Sequence, residues 1–232
     1  MLSFIIPAYN EEALIGQVIS ALHAGMEAVG RPYEIIVAND ASEDRTREVA
    51  LAHGARVIDV NKRQISATRN AGAAAARGEL LIFVDGDTIV PEAVLLATVH
   101  EVDRGAIGGG AAVLFDGAVP LYAVIGMNLL IPLFRWTRTA AGCFMFATRE
   151  AFEAIGGFDE RLFASEEVAF SKAMRKQGRF VVIRQRVTTS GRKVRQYKLR
   201  QLLGVLFKQS LKGPRKAWKS REGLDLWYDG KR

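Results

Sequence analysis

Over the first hundred residues, apolar runs alternate with amphipathic stretches. Ser3 to Pro7 is a short apolar run ending in a proline. Asn10 and Glu11 then open a segment in which Leu14, Val18, Ile19 and Leu22 share one face at three- and four-residue spacing, which predicts a helix. Gly30-Arg31-Pro32 breaks it. "YEIIVAND" reads as a second strand, and "SEDRTREVALAHG" as a second helix capped by Ser42 and stopped at Gly54. "ARVIDV", "SATRNAGAAAARG" and "ELLIFVDGD" continue as strand, helix and strand. Strands apolar on both faces, alternating with helices, imply a parallel sheet covered on both sides with right-handed crossovers. Such sheets bind ligands beyond the carboxyl ends of their strands. The polar groups gather there: Tyr9-Asn10-Glu11, Asn39-Asp40 and Asp85-Gly86-Asp87.

The pattern changes after Pro91. Pro91 to Arg104 predicts a helix, "IGGGAAVLF" a glycine-rich strand, "CFMFAT" a strand and Glu166 to Lys176 a helix. Between them, Ala118 to Phe134 is strongly apolar but interrupted by Pro120, Asn128 and Pro132. A spanning helix needs roughly 20 apolar residues, so a buried helix or an interfacial segment is expected.

Charge divides the chain. Residues 186–232 hold 14 Lys/Arg and 3 Asp/Glu, a net of +11, while residues 1–185 hold 18 and 22, a net of −4. The basic character therefore belongs to the C-terminal tail and points to an anionic neighbour. In that tail Leu199, Leu202, Leu203, Leu206 and Phe207 share one helical face. Lys198, Lys208 and Lys212 lie off it, Arg200 lies at its edge, and Trp218 and Trp227 follow. A membrane-surface helix over residues 195–227 fits this pattern, as does a helix packed on the domain or in a homodimer. No nucleic-acid recognition module accompanies the charge, so no nucleic-acid partner is expected. The single Cys143 excludes an internal disulfide, and "MLSFIIPAYNEE" has neither a basic n-region nor a small-residue cleavage site. Both suggest a cytoplasmic protein, with a peripheral seat on the inner membrane face left open.

Asp85-Gly86-Asp87 offers two carboxylates one residue apart at a strand end. Hard divalent cations take oxygen ligands, and Mg²⁺ sites often combine one or two carboxylates with substrate phosphates. Gly86 permits a tight turn and close approach of a ligand.

The ordered segments "FIIPAYNEE", "EIIVANDASEDRT", "SATRNAGAAAARGELLIFVDGDT" and "AAGCFMFATREAFEAIGGFDERLFASEE" resemble family 2 glycosyltransferases of the GT-A fold, over roughly Ser3 to Ile183. The resemblance implies an α/β, Rossmann-like single domain with a mainly parallel central sheet flanked by helices. Residues 1–185 would form that domain, 1–105 its nucleotide-sugar half and 106–185 its acceptor half. A basic helical extension would follow over 186–232.

The resemblance also implies roles. Pro7, Ala8 and Tyr9 line the base and ribose, with Glu11 close by. Asp40 binds an imide N–H of the base, which favours uridine over guanosine. Arg69 sits beside the sugar diphosphate. Asp85 contacts ribose or sugar and joins Asp87, with Gly86 between them, around a Mn²⁺ or Mg²⁺ ion, Asp87 being the principal ligand. The implied partners are a nucleotide-diphospho-sugar donor and a saccharide or lipid-linked acceptor. The reaction would be metal-dependent, inverting and non-processive.

Four departures stand out. The family's base is usually the aspartate of a Glu-Asp pair after a "GGFDE"-like segment, and here the pair is Glu166-Glu167. Glu167 is expected as base and Glu166 as a positioning group, although misplacing a carboxylate by about a bond length can cost roughly 10²-fold. Asn39 replaces the usual acid before Asp40. "RQRVTTSGRK" holds no histidine to complete a metal site, and no Gln-x-x-Arg-Trp pattern of a processive synthase occurs. A catalytically inactive scaffold of the same fold is the competing reading. A nucleotidyltransferase or dinucleotide oxidoreductase would need glycine-rich chemistry after the first strand, where "PAYNEE" has none.

Overall fold

The computed structural model describes residues 1–192 and 195. The expected tail helix, its membrane or dimer contact and most of the proposed 186–232 extension lie outside the described residues. Among the described residues, eight strands form one sheet: β1 (Leu2–Ala8), β2 (Tyr33–Asp40), β3 (Arg56–Val60), β4 (Leu80–Val84), β5 (Thr88–Ile89), β6 (Gly108–Phe115), β7 (Phe144–Thr148) and β8 (Phe180–Thr189). Their order across the sheet is β3-β2-β1-β4-β7-β6-β8-β5. β1 pairs in parallel with β2 and β4, and β2 with β3. β7 runs antiparallel to both β4 and β6, while β8 is parallel to β6 and β5 antiparallel to β8. Two reversals restore the original direction, so β1 to β4, β6 and β8 all point the same way. Their carboxyl ends share one edge of a mixed sheet.

The helices described beside the sheet are α1 (Ile15–Val29), α2 (Thr46–Ala52), α3 (Ile65–Ala75), α4 (Glu92–Asp103), α5 (Leu121–Thr137), α6 (Arg149–Ala154) and α7 (Glu166–Gln177). Side-chain alternation along β1 divides the core. Leu2, Phe4, Ile6 and Ala8 face α1 and α4 through Val18, Leu22, Val94 and Leu95. Ile5 joins Ile36, Leu81 and Phe83 on the opposite face, against Ala73 of α3 and Phe152, Phe158 and Phe170 from the α6–α7 region. Both faces are buried, as continuous apolar strands require.

Two close approaches explain the small residues. A Cβ on Gly72 would stand 2.4 Å from Ile5 Cγ2, so α3 lies directly on β1. In "GGG", a Cβ on Gly109 would stand 2.1 Å from the Val181 carbonyl oxygen, a backbone atom that cannot swing aside.

Several expectations change. α1 begins at Ile15, not at Asn10, and Ser42 does not cap α2; its hydroxyl instead accepts from Asn10 N–H at 3.0 Å. The division after residue 185 cuts through β8, which pairs with β6 as far as Thr189, so the sheet domain extends beyond it. The apolar stretch Ala118–Phe134 does form a helix, α5, but none of its residues is buried. Among the described residues nothing buries this helix: Leu129 is 72% and Trp136 83% exposed. Among the described residues, no helix is long and apolar enough to cross a membrane.

Candidate active site

The shared strand edge gathers the site. After β4, Asp85 N–H donates to the Cys143 carbonyl at 3.1 Å, which ties the acidic turn to the segment entering β7. Gly86 lets Glu11 pack closely here: a Cβ would come within 3.0 Å of Glu11 Cγ, which would have to shift by a few tenths of an ångström. Pro7 and Ala8 close β1 beside this turn, and the Glu11 side chain reaches over it. Tyr9 lies under the Arg63 guanidinium, 4.1 Å from ring centroid to Cζ.

Arg69 of α3 is the centre of the arrangement. It is 1% exposed. Nη1 donates to Glu166 Oε1 at 3.0 Å, and Nη2 donates to Asp85 Oδ1 and the Gly142 carbonyl, each at 2.9 Å. Burial opposes its charge, but Asp85 and Glu166 outweigh burial and hold the guanidinium above its ordinary pKa. A solvated helix charge is excluded. Burial pushes the Asp85 carboxyl upward, reinforced by Asp87 and Glu166 and opposed by Arg69.

Glu166 and Glu167 open α7, after Ser165 in the left-handed region at φ 60°. Glu166 is buried against Arg69, while Glu167 packs over Gly142. Burial first, then the neighbouring Glu166 charge, push Glu167 up to about 7. Two adjacent carboxylates thus have different environments: one is paired with a cation, and the other is poised near neutrality.

Asp87 and Glu11 form a second acidic pair. Arg192 Nη2 donates to Glu11 Oε2 at 3.0 Å and to Asp87 Oδ2 at 3.2 Å. Thr189 Oγ1 donates to Asp87 Oδ1 at 3.3 Å. A guanidinium bridging Glu11 and Asp87 shows that these oxygens already suit a cation. Among the described residues no group of three or more His, Cys, Asp or Glu could hold a metal. The fit is therefore to an ion held by Asp87, with Glu11 near, and completed by ligand phosphates. Asp85 fits this less well, because its Oδ1 faces Arg69. His23 and His53 serve a helix–strand contact: His23 Nδ1 lies 2.6 Å from the Tyr33 hydroxyl and its Nε2 3.1 Å from the His53 carbonyl.

Asp40 has a different task from the one expected. Oδ1 accepts Lys62 N–H at 2.7 Å and Arg63 N–H at 2.9 Å; Oδ2 accepts Gln64 N–H at 3.2 Å and Thr68 Oγ1 at 2.8 Å. A carboxylate offers about four lone-pair positions, so an imide N–H would have to displace one of these donors. Asp40 folds the turn that starts α3. Residue-by-residue reading missed Arg192, Arg63, Gln64 and Gly142. Arg192 was in view within "RQRVTTSGRK", but that stretch was searched for a histidine ligand rather than for a cation.

The family model for glycosyl transferase family 2 matches residues 3–156. An undecaprenyl-phosphate 4-deoxy-4-formamido-L-arabinose transferase of Edwardsiella ictaluri is 33% identical over 111 residues, 44% of this chain and 34% of that protein. The chain spans about a third of the length of the curated relatives it matches. The fold is similar to the mannosyltransferase PcManGT of Pyrobaculum calidifontis, solved with GDP-Man and Mn²⁺, at TM-score 0.66 and 16% identity, covering 99% of this chain and 68% of that one. It is also similar to glucosyl-3-phosphoglycerate synthase of Mycobacterium tuberculosis, solved with Mn²⁺, UDP and glucosyl-3-phosphoglycerate, at TM-score 0.63 and 19% identity, covering 94% and 80%.

Arg69→Met leaves the buried Glu166 and the partly exposed Asp85 without their cation. Removing one partner of such a network costs about 3–5 kcal/mol. Urea unfolding should show a loss of that size; a loss below about 1 kcal/mol would mean the carboxyls are protonated and need no partner.

Proposed function

This chain belongs to glycosyl transferase family 2 and is a glycosyltransferase, and we propose that it moves a sugar from a nucleotide-diphospho-sugar to an acceptor hydroxyl in one inverting displacement. The observation that carries this is the pairing of two acidic clusters on one sheet edge: Glu11 with Asp87, suited to a cation, and Glu166 with Glu167, suited to proton transfer.

In this reading Pro7, Ala8 and Tyr9 line the nucleoside, and Asp87 with Glu11 faces the diphosphate. A Mn²⁺ or Mg²⁺ ion held there would neutralise charge on the leaving diphosphate. Arg69 keeps Asp85 and Glu166 fixed. Glu167 takes the proton of the acceptor hydroxyl as its oxygen bonds to the anomeric carbon. The bond from that carbon to the diphosphate oxygen breaks, and the electron pair leaves with the nucleoside diphosphate. Attack opposite the leaving group inverts the centre. UDP is the favoured nucleotide, and single addition the favoured mode.

The acceptor is proposed to be lipid-linked, because α5 exposes an apolar surface and leads in the chain to Gly142. Leu121, Ile125, Leu129 and Trp136 are exposed on it, Arg135 and Arg138 stand at its carboxyl end, and Gly142 follows shortly in the chain. Aromatic and basic residues beside an apolar face suit an anionic lipid surface. The curated relative named for undecaprenyl phosphate points the same way. The protein would then sit peripherally on the inner membrane face.

Asp87→Ala should abolish manganese-dependent UDP binding in calorimetric titration while the melting temperature holds within a few degrees. No wild-type binding of UDP or GDP, with Mn²⁺ or with EDTA, would sink the donor assignment.

A base with a pKa of about 7 must be ionised to work, so kcat/KM should rise with pH through about 7. Glu167→Gln should lower kcat by about 10²- to 10⁴-fold and remove this limb without weakening donor binding. Because the folded value lies above the ordinary carboxyl value of 4.5, wild-type stability should fall as pH rises from there to about 7, and the variant should lose that slope. A pH–rate limb that survives the substitution would exclude Glu167 as base.

Wild-type protein should sediment with vesicles containing anionic lipid, and the double substitution Leu129→Glu with Trp136→Glu should release it, since both side chains project into solvent. Equal sedimentation of the two proteins, or wild type remaining in the supernatant, would remove α5 as the contact surface.

A further inference from the structure

β8 runs parallel to β6 and delivers the chain to the same edge as β1 and β4. There the backbone is pinned on two sides. Ser190 N–H donates to the Asp87 carbonyl at 3.2 Å, and Gly191 N–H donates to Asp116 Oδ1 at 2.7 Å. Arg195 Nη1 adds a bond to the Asp116 carbonyl at 2.7 Å. Arg192 follows directly, and its guanidinium enters the acidic pair.

Both of its carboxylate contacts use one nitrogen. Nη2 serves Glu11 and Asp87, while Nη1 and Nε contribute three more N–H groups outside these contacts. The side chain is 24% exposed, so part of the fork faces solvent. The other guanidiniums nearby are committed. Arg69 is buried on Asp85, Glu166 and Gly142, and Arg63 covers Tyr9 and pairs with Glu43.

We infer that Arg192 is a positioning residue for the donor diphosphate. This rests on the donor reading above, and it adds a group that neither the acidic turn nor the α7 pair supplies. Charge supports it. One guanidinium does not balance two carboxylates, and a diphosphate adds further negative charge. A cation arriving on Asp87 repels the guanidinium and competes for the same Oδ2. The planar fork then turns to phosphate oxygens, for which its paired N–H groups are matched. Arg192 serves the carboxylates before the donor binds and the diphosphate afterwards.

The test is titration of UDP and of uridine, in manganese buffer, into wild type, Arg192→Gln and Arg192→Lys. UDP affinity should fall about tenfold or more in the glutamine variant and recover in part with lysine, a point charge without the fork. Uridine affinity should stay unchanged, which a collapse of the loop would not allow. Unchanged UDP affinity, or an equal loss for uridine, would overturn the inference. Tighter UDP binding in Arg192→Gln would also overturn it, marking the arginine as a plug competing with the metal. If wild type binds neither UDP nor GDP, the donor reading falls first and this inference with it.

Discussion

A buried guanidinium sets the terms for the rest of the site. Arg69 lies inside the domain with acceptors on three segments that are distant in sequence: the turn after β4, the entry to β7 and the first residue of α7. Desolvating a cation and two carboxylates costs several kcal/mol per ion, so the network adds little net stability. Its effect is geometric. Asp85 and Glu166 cannot move independently, so the turn after β4 and the start of α7 share one anchor.

Neighbouring residues on the same helix extend this control. Asn70 accepts from Phe158 N–H through Oδ1 at 2.9 Å and donates to the Phe158 carbonyl through Nδ2 at 2.9 Å. Gln64 caps the helix by accepting from Ala67 N–H, and its Nε2 holds the Glu160 and Leu162 carbonyls. Thr68 reaches Asp40. One short helix therefore holds the turn before it and the loop leading to Glu166. Of the five non-glycine residues at positive φ among those described, Asn10, Ala41, Arg63 and Ser165 lie in segments flanking this edge. Backbone strain of order 1–3 kcal/mol per residue persists where surrounding contacts over-determine it, as they do here.

The first half of the fold was legible because its strands are buried on both faces. "YEIIVAND" coincides with β2, and the helices at Pro91 and Glu166 fall within a residue or so of their observed bounds. β8 was not legible. Arg184, Gln185 and Arg186 interrupt its apolar pattern where the strand is exposed and its register with β6 shifts. The apolarity of α5 showed that a helix forms but not which side of the surface it occupies. Among the site residues, the sequence marked Asp85, Asp87, Glu166 and Glu167 as acids in suggestive places. It could not show that Asp40 accepts from three backbone N–H groups and the Thr68 hydroxyl, because the Lys62–Gln64 turn carries no side-chain signature for it. Nor could it show that Arg192 returns across the sheet, since that depends on the direction of an unrecognised strand.

Separate anchoring of the two acidic pairs has a chemical consequence. Glu166 is committed to Arg69 and contributes a fixed negative charge, and that charge helps raise its neighbour's pKa. Were Glu167 paired with the same cation, it would be a weaker base at neutral pH. Its position above Gly142 leaves the carboxylate outside the Arg69 hydrogen bonds while keeping it close enough to feel Glu166. Two glutamates identical in chemistry are thus given different environments by a single arginine that hydrogen-bonds only one of them.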